Sequence, residues 1–174
     1  IPPRPPSRRQ WRVKADFPGD ELNHRRAERR AKASGQRVET FVADEWTLEY
    51  DLAFHGLGKH VFRAATLALA DDRLNAGTTT RVVVLGDADV AYQALADAGH
   101  DTPTLASHVY ALFEADAASK AIGAQYLAEL LQQEIVDGAL NAEGLRATLP
   151  PYVVAAIAHV TGPFPPLPAG DVEA

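Results

Sequence analysis

Hydrophobic and polar positions alternate over residues 37–43, with Val38, Thr40 and Val42 on one side and Glu39, Phe41 and Ala43 on the other. A period of two predicts a short, half-buried strand. Before it, Phe17-Pro18-Gly19-Asp20 reads as a turn, and Asp20 is placed to cap a helix over residues 21–34 that Gly35 stops. The apolar face of that helix is thin (Leu22, Ala27, Ala31), which predicts a surface position. After the strand, residues 47–56 read as a short helix with Leu48, Leu52 and His55 along one face. A second helix over residues 59–72 turns Val61, Ala64, Ala65, Leu67 and Ala68 towards a core. Residues 75–80 are a loop. The run Arg81-Val82-Val83-Val84-Leu85 predicts a second strand, followed by Asp87-Ala88-Asp89 and a helix over residues 90–98. Residues 99–104 read as loop, and residues 105–138 as mostly helical with a break at 117–120. Pro150-Pro151 opens a last helix over residues 152–160, which Gly162-Pro163 ends.

Strands alternating with helices predict an α/β fold. The chain divides into a proline-rich loop and basic helix (residues 1–36), a central region (37–162) and a proline-rich tail (163–174). Residues 11–16 read as extended. At 174 residues and 47% hydrophobic composition the chain has material for one real core. No apolar run approaches the roughly 18 residues of a membrane helix. Cysteine is absent, which excludes disulfides, thiolate metal sites and a cysteine nucleophile and fits a cytoplasmic protein. A chain that starts at Ile1 and holds no methionine reads as a piece of a longer polypeptide.

Charge is unevenly spread. Residues 1–37 hold eleven Lys and Arg against four Asp and Glu, a balance of +7, whereas residues 38–174 hold six against nineteen, a balance of −13. A basic arm on an acidic body suits a phosphate backbone held near a metal-binding cluster, and it equally suits a solvated helix face.

Three sets of residues carry candidate chemistry. Glu45, Glu49 and Asp51 fall within seven positions just past the first expected strand, where ligands collect in open α/β sheets. Carboxylates there suit Mg²⁺ or Mn²⁺, which take oxygen ligands. Asp51 lies roughly 200° around a helix from Glu49, so the two share no face of one helix. The residues alone favour helix capping by Asp44 or Thr47, with Glu49 placed well for the helix dipole. Lys120 is the only lysine after residue 81 and sits among small neighbours, Ala117, Ala118, Ser119 and Ala121. It reads either as a cation for a scissile phosphate or as a surface lysine at a helix start. Asp87 and Asp89 form an Asp-x-Asp pair that competes for the metal, or simply make a turn. The histidines make no metal set by spacing. There is no Walker-type loop and no Gly-x-Ser-x-Gly elbow.

The segment Glu45-Trp46-Thr47-Leu48-Glu49-Tyr50-Asp51-Leu52-Ala53, with the pattern before it, resembles the C-terminal nuclease half of OLD-family (overcoming lysogenization defect) endonucleases, class 2 above all. Residues 118–125 around Lys120 are similar to the lysine-bearing helix of that family, and residues 150–161 to its closing helix. The resemblance implies a Toprim fold, a Rossmann-like parallel sheet flanked by helices, with a helical extension. It implies DNA cleavage with two Mg²⁺ or Mn²⁺ ions, Lys120 and Glu49 as catalytic residues, and Glu49 and Asp51 in the acidic metal cluster that the residues themselves extend to Glu45. It further implies an amino-terminal ATPase domain in the parent chain, dimerisation through that domain, and a helicase as partner. The family's leading carboxylates lie upstream of this segment, and Ile1-Pro2-Pro3 matches the loop just beyond them. On an alternative alignment, Glu45, Glu49, Asp87 and Asp89 form a self-contained set.

Overall fold

The computed structural model describes residues 20–33, 39–114 and 117–162. The turn before Asp20, the stretch 11–16, Gly35 and both proline-rich ends lie outside the described residues. Among the described residues there is no strand, so the expected α/β Toprim-like sheet is corrected to an all-helical fold. The helices are α1 (Glu21–Ala33), α2 (Leu48–Leu52), α3 (Gly58–Leu69), α4 (Asp71–Asn75), α5 (Arg81–Asp97), α6 (Thr102–Ala111), α7 (Lys120–Val136), α8 (Ala142–Thr148) and α9 (Pro151–Thr161). One turn of π-helix, Ala53–Leu57, joins α2 to α3.

Both expected strands fail for physical reasons. Residues 37 and 38 of the first lie outside the described residues, and 39–43 have no strand partner among the described ones; the main-chain oxygen of Ala43 instead accepts a hydrogen bond from the Arg26 guanidinium at 2.9 Å, and that of Asp44 accepts another. Residues 81–85 are the first turns of α5, because Thr80 caps them: its Oγ1 accepts the Val83 N–H at 3.4 Å. Only Val84 and Ala88 of α5 are buried, four apart, while Val82 and Val83 are 81% and 55% exposed. That is the burial pattern of a helix laid on its neighbour by one narrow stripe.

Helix α3 is the centre of the molecule. Val61, Phe62, Ala65 and Ala68 face one apolar cluster, with Tyr50, Leu52, Val109, Tyr110 and Phe113. Ala64 and Leu67 face a second, with Ala70, Val84 and Leu130. The alanines let neighbouring helices come close, and α7, α5 and α6 pack around α3. The expected helix over 59–72 and its core residues are therefore in place, split into α3 and α4 at Ala70. At the π-turn, Gly56 adopts φ 127°, a region that side chains disfavour, and a Cβ there would lie 3.3 Å from Thr148 Cγ2. Among the described residues no helix is long and apolar enough to cross a membrane.

Candidate active site at the Glu49–Lys120 pair

Helix α2 begins where Thr47 Oγ1 accepts the Tyr50 N–H at 3.4 Å, so Thr47 is the cap. Glu49 follows in the first turn, where a carboxylate is favoured by the helix dipole. Lys120 is the first residue of α7, capped by Ser119, whose Oγ accepts the Ile122 N–H at 3.4 Å. The Ala118 N–H donates to the Leu112 carbonyl at 2.9 Å and ties the start of α7 to the end of α6. These two helix starts bring Lys120 Nζ within 2.9 Å of Glu49 Oε2. The same ammonium lies 5.0 Å from the ring centroid of the buried Tyr110. A cation at a helix N-terminus opposes the dipole, and the Glu49 carboxylate offsets that cost. The Lys120 side chain stays 47% exposed, open to an incoming anion. Beyond it, a cleft of about 570 Å³ is bordered by Asp71, Asp72, Ser119 and Lys120.

Asp51 is used differently. It is fully buried, and its carboxylate accepts three main-chain N–H groups. Asp44 N–H and Glu45 N–H donate to Oδ2 at 2.8 and 3.2 Å, and Trp46 N–H donates to Oδ1 at 2.8 Å. The carboxylate thus pins residues 44–46 onto α2. Burial pushes its pKa above the usual carboxylate range, against the pull of those three donors. The pinned turn sets the Trp46 ring 4.3 Å from Tyr110 and 5.7 Å from Tyr50. Asp51 therefore holds the wall on which the Lys120 ammonium rests.

Glu45 is half-buried in the pinned turn. Its neighbours across a second cleft are Arg25, Arg26 and Arg29 of α1. Asp87 is exposed on α5, and Asp89 pairs with Lys59 at 3.3 Å and Arg63 at 3.4 Å. The alternative set of Glu45, Glu49, Asp87 and Asp89 is thus not assembled, because the Asp-x-Asp sequence lies inside a helix whose second acid faces cations. Among the described residues no group of three or more His, Asp or Glu side chains is arranged to hold a metal ion. With Asp51 engaged by amides and Glu49 by Lys120, these side chains do not by themselves fit Mg²⁺ or Mn²⁺.

Two site residues escape a reading of the sequence. Tyr110 sits within a long helical stretch and carries no local signal. Tyr152 of α9 presents a buried hydroxyl with no hydrogen-bond partner. Burial raises its pKa, and the negative charges of Asp51, Asp44 and Glu49 raise it further. Comparison with protein-family models, curated proteins and solved structures gave no match.

Proposed function

We propose that this chain contributes Glu49 and Lys120 to the catalytic centre of a DNA endonuclease that hydrolyses phosphodiester bonds with the help of Mg²⁺ or Mn²⁺. The observation that carries the reading is the ion pair. Two residues selected by separate likenesses to OLD-family nucleases meet at 2.9 Å across 71 positions of chain. Lys120 is placed to neutralise charge on a phosphate oxygen. Glu49 holds the ammonium in place until the phosphate arrives, and Tyr110 supports it from beneath. The metal is a part of the proposal that these side chains do not complete. An ATPase domain, a helicase and a dimeric parent protein belong to the same proposal.

The test is nicking of supercoiled plasmid by the complete polypeptide with millimolar Mn²⁺. Lys120→Ala and Glu49→Ala are each expected to lower the rate by about 100-fold or more, with helical content unchanged. Retained activity in both variants overturns the proposal.

A further inference from the structure

Helix α1 carries five Lys and Arg against two Asp and Glu, on a chain whose remainder from residue 38 has a balance of −13. It is not a detached basic rod. Arg26 is half-buried and donates to the main-chain oxygens of Ala43 and Asp44, which fastens the helix along residues 40–47. Arg25 and Arg29 stand one turn apart, above and below the row of Arg26, as the helical repeat requires. Arg25 is paired with Glu21 at 2.8 Å yet keeps 54% of its side chain exposed, and Arg29 is exposed.

Between α1 and this segment runs an open cleft of about 460 Å³. One wall is the three arginines; the other runs over residues 40–47 and carries Phe41, Trp46 and the half-buried Glu45, whose carboxylate opposes an anion on that side and leaves the exposed Arg25 and Arg29 as the phosphate contacts. Trp46 is already packed edge-on and tilted against Tyr50 and Tyr110, so its role there is to close the floor. Phe41 is half-buried, with its ring 5.7 Å from that of His159. Glu45, Trp46 and Thr47 of the cleft immediately precede α2 in the chain, whose first turn carries Glu49.

We infer that this cleft binds a single strand of DNA, with Arg25 and Arg29 on successive phosphates and a base against Phe41. Guanidinium groups beside an aromatic face form the pairing by which single strands are held without sequence choice. The carboxylates of an acidic protein segment would use the arginines but offer no flat ring to set against Phe41. The inference rests on the endonuclease reading for its choice of DNA. It adds to that reading a strand-binding surface made by α1 and residues 40–47, the segment that precedes α2 in the chain.

The experiment is fluorescence anisotropy of a labelled 20-nucleotide single strand with the complete polypeptide, in EDTA, across a salt series. The double variant Arg25→Ala/Arg29→Ala is expected to bind about tenfold or more weakly. Its log–log salt slope should be shallower by about 1.4, since each single-strand phosphate contact contributes about 0.7. Phe41→Leu keeps apolar bulk and loses the ring, and is expected to weaken binding about fivefold or more. Arg73→Ala, an exposed arginine on α4, should bind as wild type does. Unchanged affinity in the double variant, or displacement of the strand by poly-glutamate at equal charge, overturns the inference. Arginine-dependent binding without any Mn²⁺-dependent nicking overturns the catalytic proposal alone.

Discussion

The Lys120 ammonium lies 2.9 Å from the Glu49 carboxylate, and it joins the first turns of two helices that are otherwise separate in the chain. The pair is partly open to solvent: the two side chains are 47% and 20% exposed. Exposed pairs of this kind contribute under about 1 kcal/mol. A double-mutant cycle on urea unfolding with Lys120→Ala and Glu49→Ala should therefore give a coupling energy below about 1 kcal/mol, falling with added salt. A coupling of several kcal/mol would show that the pair is a structural brace, and would remove the basis for reading activity loss as chemistry.

Asp51 should behave in the opposite way. Its removal strands three main-chain N–H groups beneath Trp46, and Asp51→Ala is expected to cost about 2–4 kcal/mol by urea unfolding. Its pH dependence has a definite sign. An unfolded aspartate titrates near pH 4, and burial raises the folded value above that. Between the two values the native state binds more protons than the unfolded chain, so stability falls as pH rises through the folded value. The advantage of wild type over the non-titrating Asp51→Asn variant should be largest below about pH 4 and smaller at pH 7. The reverse slope would mean that the three amides outweigh burial.

The helices of this fold are far more legible in the chain than its class. Val61, Ala64, Ala65, Leu67 and Ala68 recur at helical spacing, and all are buried on α3. Three consecutive valines at 82–84 mislead, because a short apolar run has no period that separates strand from helix. What decides it is Thr80 as a cap and the spacing of Val84, Ala88, Tyr92 and Leu95, which Asp87-Ala88-Asp89 does not interrupt. The alternation at 37–43 likewise has no partner strand to pair with among the described residues, and period alone cannot supply one. Helix α8 carries a plain signal in its Asn141 cap, which accepts the Gly144 N–H at 2.8 Å. At the site, Glu49 and Lys120 were nameable from sequence. The division between a carboxylate that faces a cation and one that faces amides was not, because Asp51 differs from Glu49 only in which groups the fold turns towards it.

Tyr152 offers a separate check on the acidic end of the site. Its hydroxyl is buried without a partner, so it bears a desolvation cost that phenylalanine would not. Tyr152→Phe is expected to leave stability unchanged or to raise it by about 1 kcal/mol in urea unfolding. A loss of more than about 1 kcal/mol would show that the hydroxyl makes a hydrogen bond, through water or to one of the acids beside it.

Metal binding tests the carboxylates of this chain directly. A ligand that binds only the folded state raises its apparent stability by mass action. Among the described residues no three acidic or histidine side chains are arranged around a common point, and Asp51 has no oxygen free of an amide. Millimolar Mn²⁺ should then leave the melting temperature of the 174-residue chain unchanged. A Mn²⁺ shift in the short chain that vanishes in Glu49→Ala would mean that Glu49 turns from Lys120 to the ion, and that the ligands needed beside it are already present within these 174 residues.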